Sequence, residues 1–77
     1  MKDLLYTIVE QLVEDKSAIE ITQDEPNAEG VTIFHLHVAT DDMGRVIGKQ
    51  GRIAKSIRAI MRAGANKYNM KVNVEIE

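Results

Sequence analysis

VIGKQGRIAKSIR, residues 46–58, is the stretch of this chain that decides its fold. Two glycines, Gly48 and Gly51, enclose Lys49 and Gln50, and the residues on either side have helical patterns. Glycine adopts positive φ without strain and lets other atoms approach its backbone closely, so the pattern predicts a tight turn between two helices. The first amides of the second helix lack intrahelical partners and carry the positive end of its dipole, which favours an anion such as phosphate.

Two interpretations of this loop remain open from its residues alone. In the first, Lys49 adds a mobile point charge and Gln50 adds amide donors to a phosphate site. In the second, the glycines only cap one helix and turn the chain into the next, because G-x-x-G alone is a weak signal. A Walker A loop is excluded, since the four-residue spacer before G-K is missing and Gln50 stands where Ser or Thr would bind magnesium.

The residues after the loop predict a helix from Arg52 to about Tyr68, ended near Asn69. At about 100° per residue, its apolar side, which we expect to lie in the core, comprises Ile53, Ile57, Ile60, Met61, Gly64 and Tyr68. The roughly opposite side is basic and comprises Arg52, Lys55, Arg58 and Arg62. A solvated helix face usually mixes charges of both signs, whereas this helix has no acid. The basic side therefore favours a polyanion ligand.

Charge is segregated along the chain, although the net charge is only −2. Residues 1–42 carry ten acids and two lysines, and residues 43–74 carry four arginines and four lysines with no acid. A polyanion responds to the local field and not to the total, so the second segment is a candidate nucleic-acid surface. The alternative is that the two halves attract each other within the fold.

The remaining segments predict the other elements of a small α+β domain. An amphipathic first helix is expected to stop near Lys16–Ser17, and strands are expected at residues 18–23 and 31–39, antiparallel around a turn. In the second strand we expect Phe34, Leu36 and Val38 to face inward. A short helix capped by Thr40, Asp41 or Asp42 precedes the loop, and residues 71–77 form a final strand with Val72, Val74 and Ile76 on one face. The order α-β-β-α-α-β predicts helices covering one face of a three-stranded sheet.

Length and composition predict a single domain over residues 1–77. Hydrophobic residues make up 44% of the chain, which is typical of a globular protein. There is no cysteine for a disulfide or thiolate metal site, which fits the cytoplasm, and no apolar run long enough to cross a membrane or act as a signal peptide.

Other groups of residues are weaker candidates for a metal site, a catalytic site or a subunit contact. His35 and His37 share a strand face, but the sequence offers no third metal ligand near them, so no metal or other cofactor is expected. Asp41 and Asp42 are interpreted as caps and not as a catalytic pair, and no activated serine is indicated, so no enzyme activity is expected. Close approach of helices would explain Gly44 and Gly64, while the small residues around Gly64 are an alternative contact for a second subunit.

The 46–58 stretch resembles the V-I-G-x-x-G signature of KH domains, with I-x-x-I spacing at Ile53/Ile57 and Ile57/Ile60. The element order resembles the type II, bacterial KH fold. Over its whole length the chain resembles the small KhpA family of bacterial KH proteins, through MKDLLYTIVEQLV, MGRVIGKQGRIAKSIRAIMRAGANK and VNVEIE.

That resemblance implies non-catalytic binding of single-stranded RNA, as an RNA chaperone or post-transcriptional regulator. It further implies a homodimer, or a heterodimer with a KhpB (Jag-type) KH protein, and a link to cell shape and cell-wall growth. By position, the loop residues Gly48, Lys49, Gln50 and Gly51 would hold phosphates. A groove for bases would be lined or supported by Val46, Ile47, Ile53 and Ile57 and rimmed by Arg45, Arg52 and Lys55. The alternative is a protein-interaction subunit whose partner carries most of the RNA binding.

Overall fold

Six helices and strands follow one another in the predicted order in a computed structural model that describes residues 1–77. They are α1 (Lys2–Glu10), β1 (Glu20–Gln23), β2 (Val31–His37), α2 (Met43–Ile47), α3 (Arg52–Asn66) and β3 (Lys71–Ile76). Three single 3₁₀ turns lie between them, at Lys16–Ala18, Thr40–Asp42 and Lys49–Gly51. This arrangement confirms the α+β class and the type II KH order of elements.

The three strands form one mixed sheet in the order β1-β2-β3. Strands β1 and β2 are antiparallel, with Ile21 opposite Leu36, while β2 and β3 are parallel, with Phe34 opposite Val74. Parallel neighbours need a long crossover connection, and here α2 and α3 provide it. The crossover places the glycine loop between two helices that pack on the sheet.

The core lies between the helices and one face of the sheet. Phe34, Leu36 and Val38 are buried as predicted, while His37, on the other face, is exposed. The remaining members come from all three helices, the chain after α1 and the last strand, and are Leu5, Val9, Val13, Val46, Ile57, Met61, Ala65, Val72 and Val74. A core of this size fits a small domain, which buries about 60% of the surface of its unfolded chain.

Helix α1 is shorter than the sequence pattern predicted. It ends at Glu10 and not near Lys16–Ser17. In a longer helix the N–H groups of Glu14 and Asp15 would donate to carbonyls four residues earlier, but both donate to the carboxylate of Asp42 instead. Val13 nevertheless remains buried in the core, although it lies after the end of the helix.

The apolar side of α3 is narrower than predicted. Ile60 is 48% exposed and Tyr68 is 69% exposed, so the prediction that both belong to the core was wrong. The buried stripe of the helix consists of Ala54, Ile57, Met61 and Ala65. Ile60 lies roughly 100° around the helix from the centre of that stripe, and α3 ends at Asn66, before Tyr68.

The two helical glycines have different surroundings. A Cβ added at Gly64 would come within 2.9 Å of the Leu4 side chain, so close packing of α1 against α3 explains this glycine. A Cβ at Gly44 would meet no atom within 4 Å, so close packing does not explain that one. The helices of this fold are too short or too polar for any of them to span a bilayer.

Candidate nucleic-acid interface

The loop between α2 and α3 is built from positive-φ residues. Gly48 has φ 72° and ψ 177°, a region that essentially only glycine occupies. Gln50 and Gly51 follow in the left-handed region, with φ values of 57° and 73°. This sequence of conformations makes the sharp change of direction from the end of α2 to the start of α3, which the G-x-x-G spacing predicted.

Gly48 also has no room for a side chain. A Cβ at this position would lie 2.6 Å from Cγ1 of Ile53, in the first turn of α3. By contrast, a Cβ at Gly51 would meet nothing within 4 Å. Gly48 is therefore required for both its conformation and its packing, and Gly51 for its conformation alone.

The backbone of the loop leaves two hydrogen-bond donors available. The N–H of Gly48 donates to the Gly44 carbonyl at 2.9 Å, and the N–H of Gly51 donates to the Gly48 carbonyl at 3.3 Å. Within the chain, the N–H groups of Lys49 and Gln50 donate to no acceptor. Both residues are exposed, so these two donors lie where an anion can reach them.

The aliphatic residues around the loop divide into two pairs. Ile47 is 37% exposed and Ile53 is half-buried, so both present apolar surface beside the glycines. Val46 and Ile57 are fully buried in the core. Of the lining and supporting roles that the sequence left open for the four aliphatic residues, only the supporting one is available to Val46 and Ile57.

Arg45 is held by contacts within the chain. Its Nη1 lies 2.7 Å from Oδ1 of Asp42, and its Nη2 lies 2.9 Å from Oε1 of Glu14. The guanidinium therefore bridges the start of α2 to the segment after α1. A phosphate at this position would have to compete with two carboxylates.

The other cations of the basic segment form no ion pairs. Among the eight cations of residues 43–74, Arg45 alone has a carboxylate within 4.0 Å. Lys49 and Lys55 are exposed, and Arg52 makes only a long 3.4 Å hydrogen bond from Nη2 to the Gln50 side chain. Ion pairing between the acidic and basic halves thus neutralises only Arg45. The other seven cations of the basic segment form a positive surface without ion pairs.

Asp42 has a role that the sequence did not reveal. It occupies the N-cap position of α2, but neither it nor Thr40 or Asp41 makes the predicted side-chain capping bond. The residue is 2% exposed, and its carboxylate instead accepts the N–H of Asp15 at 3.1 Å and of Glu14 at 3.2 Å.

These hydrogen bonds, together with Arg45, hold the pKa of Asp42 below its ordinary value of 3.8, although burial opposes them. The only sequence signal for this anchor is the three-residue spacing of Asp42 and Arg45 within a helical segment, which permits an ion pair.

The basic side of α3 lies along the free edge of β3. Arg58 is half-buried and donates from Nε to the Val74 carbonyl at 3.0 Å, while the Val74 N–H donates to the side chain of Asn73. Farther along the same edge, a cleft of about 300 Å³ is lined by Arg62, Asn66, Met70, Lys71 and Val72. The positive surface therefore continues from the loop along the edge of the sheet.

Comparison with known proteins agrees with this geometry. The family model described as KhpA/KhpB, KH domain, matches residues 2–76. Over 76 residues the chain is 49% identical to a protein of Clostridium acetobutylicum and 45% identical to one of Caldanaerobacter subterraneus, with 99% of each chain covered. It is 42% identical to a protein of Listeria monocytogenes, covering 99% of this chain and 97% of that one.

All three relatives are named RNA-binding protein KhpA. No solved structure matches the chain. The family match covers nearly the whole sequence, including the glycine loop and both helices beside it. The chain therefore belongs to the KhpA/KhpB family of KH-domain proteins.

Proposed function

We propose that this protein binds single-stranded RNA without catalysis, through its G-x-x-G loop. The observation that carries the proposal is the pair of available N–H donors at Lys49 and Gln50, in a glycine loop flanked by unpaired cations. KH domains clamp about four nucleotides of backbone at such a loop. The names of the relatives, which describe RNA-binding proteins, agree with this function.

The mechanism follows from the chemistry of the loop and its surroundings. Phosphate oxygens accept the two N–H groups, and the Lys49 ammonium adds a charge that is not already neutralised. Bases rest on the apolar surface of Ile47 and Ile53, and Arg52 and Lys55 bind the backbone on either side. No aromatic residue lies beside the loop in the sequence, so base stacking is scarce and we expect low sequence selectivity.

The test is a charge reversal in the loop. The double variant Lys49→Asp/Gln50→Asp places two carboxylates beside the donors, and we expect RNA affinity to fall at least tenfold, about 1.4 kcal/mol or more. Affinity for a fluorescent unstructured oligoribonucleotide is measured by anisotropy, and circular dichroism confirms the fold.

The matched control is Lys2→Asp/Gln11→Asp, which makes the same change of charge at the first residue of α1 and the residue just after its end, and should leave RNA affinity nearly unchanged. Equal affinity of the loop variant and wild type would refute the proposed site. Equal losses in both variants would point to a general charge effect with no special role for the loop.

A second candidate function is assembly with a partner that carries most of the RNA binding. Besides Ile47, three large apolar residues are more than a third exposed, which favours contact with another subunit: Tyr6 of α1, Ile60 of α3 and Tyr68 just after α3. A second copy of this chain, or a KhpB (Jag-type) protein, is the proposed partner. The assembly would act in the cytoplasm in RNA-level control of cell shape and wall growth.

Light scattering with and without a Jag-type partner distinguishes the assemblies. A mass of one chain at all concentrations, with no complex formed, would contradict this candidate. RNA binding by the partner complex that survives Lys49→Asp/Gln50→Asp would show that the partner, and not this loop, holds the RNA.

A further inference from the structure

The face of the sheet that the helices leave open carries a group of metal-ligating side chains, none of which belongs to the glycine loop. The parallel register places Glu75 of β3 opposite His35 of β2, and Glu77 follows two residues later. One ligand atom from each of His35, Glu75 and Glu77 lies within 4.8 Å of the others. The sequence provided two histidines on one strand and no third ligand, but the fold brings two carboxylates to one of them.

The two ring nitrogens of His35 have different neighbours. Its Nε2 lies 2.8 Å from Oδ2 of Asp24, and its Nδ1 lies 2.9 Å from Oε2 of Glu77. A histidine that binds a metal through one nitrogen usually donates its other N–H to a carboxylate, which fixes the tautomer and the orientation of the ring. Asp24 is in the position to accept that N–H, which leaves Nδ1, beside Glu77, as the nitrogen free to bind a metal.

We propose that Nδ1 of His35 and the carboxylates of Glu75 and Glu77 bind one divalent transition-metal ion of the zinc class. One imidazole and two carboxylates supply three ligands, and water completes the coordination because the glutamates are exposed. An imidazole nitrogen favours zinc, cobalt or nickel, whereas magnesium and calcium prefer oxygen ligands alone. The second histidine, His37, is not part of this set, since its Nδ1 contacts the main-chain oxygen of Glu77 at 3.2 Å.

Charge also favours a cation here. Asp24, Glu75 and Glu77 place three carboxylates around a single imidazole, which leaves the group negative even when His35 is protonated. A divalent ion would replace the proton at Nδ1 and neutralise the two glutamates. The site lies on the sheet face that the helices leave open, so it is independent of the proposed RNA-binding loop.

The experiment is a calorimetric titration of tag-free protein with zinc chloride at pH 8, and a parallel titration with magnesium chloride. We expect saturable binding of one zinc ion per chain and no comparable binding of magnesium. Long-range ¹H–¹⁵N NMR spectra of the histidine rings should show a shift at His35 Nδ1 and little change at His37. The absence of saturable zinc binding, or a shift confined to His37, would overturn the assignment.

Variants then test each role. Glu75→Gln/Glu77→Gln removes two ligands and should abolish saturable binding, whereas Asp24→Asn removes the orienting acceptor and should weaken it about 10- to 100-fold. The control Glu10→Gln/Glu29→Gln removes two acids outside the cluster and should bind zinc as wild type does. Wild-type affinity in the Glu75/Glu77 variant would refute the site, as would an equal loss in the control.

Discussion

Gly48 and Gly51 disfavour a side chain for different reasons, and this predicts a ranking of their alanine variants. Gly48→Ala should lower the free energy of unfolding by at least about 2 kcal/mol, because a Cβ there combines a strained conformation with a 2.6 Å contact to Ile53. Gly51→Ala should cost about 1–2 kcal/mol, the usual cost of a left-handed non-glycine residue in open space. Urea unfolding measures both values.

Gly44→Ala is the control for this series. It lies in α2 with open space around its Cα and should be neutral or stabilising by up to about 1 kcal/mol, since alanine favours helix more than glycine does. The ranking fails if Gly51→Ala destabilises more than Gly48→Ala. A large loss in Gly44→Ala would show that α2 packs more tightly than its surroundings indicate.

Asp42 predicts a dependence of stability on pH. The N–H of Asp15 above all, and then that of Glu14 and the Arg45 guanidinium, lower its pKa in the folded state below the ordinary 3.8. A group whose pKa falls on folding stabilises the protein above its unfolded pKa, and this contribution is lost as the pH falls through the folded value. Wild type should therefore be more stable than Asp42→Asn near neutral pH, and the difference should narrow below about pH 4.

The measurement is urea unfolding of both proteins from about pH 7 to pH 2.5. Asp41→Asn removes the neighbouring, exposed carboxylate and should match wild type throughout that range. A difference between wild type and Asp42→Asn that stays constant with pH would mean that the charge of Asp42 contributes nothing to the anchor.

The basic residues of α3 have two different roles, since one binds the sheet edge and others are free at the surface. Arg58 hydrogen-bonds the Val74 carbonyl at the sheet edge, whereas Lys55 is exposed and has no partner. Arg58→Met keeps the apolar stem and similar helix propensity but removes the donor, and should lower the free energy of unfolding by about 1 kcal/mol. Lys55→Met should change it by less than about 0.5 kcal/mol and weaken RNA binding instead, as measured by urea unfolding and anisotropy.

If Lys55→Met proves the less stable of the two, the assignment of Arg58 to the sheet edge is wrong. Comparable RNA affinity in Lys55→Met and wild type would remove Lys55 from the proposed interface. The two variants carry the same change of charge on the same helix, so each serves as the control for the other.

Sequence periodicity predicted the kinds and order of the elements, because the inward alternation of β2 and the helical spacing around the loop are local properties. It failed where a distant residue decides the outcome. The end of α1 depends on Asp42, whose carboxylate accepts hydrogen bonds from two N–H groups of the chain after the helix. The exposure of Ile60 depends on how α1 and the sheet pack on α3. The spacing of residues along α3 carries no information about that packing.

The candidate RNA site could be proposed from the sequence because its residues are adjacent there, whereas the proposed metal site could not, because its residues meet only in the sheet. His35 and Glu75 are forty positions apart and become neighbours through the parallel register of β2 and β3. Likewise, the sequence could not show that Arg45 is paired while Lys49 and Lys55 are not. Charge segregation alone left both interpretations of the basic half open.

Those unpaired cations predict how RNA affinity of the intact protein depends on salt. If three or four phosphates are neutralised, the logarithm of the association constant should fall against the logarithm of salt concentration with a slope of about −2 to −3. Lys49→Ala should make the slope less steep by about 0.7, the contribution of one phosphate on a single strand. Lys2→Ala, which removes a charge from the acidic half, should leave it unchanged. A slope near zero in wild type would mean that the positive surface does not bind the RNA backbone, and an equal change in both variants would show only the effect of total charge.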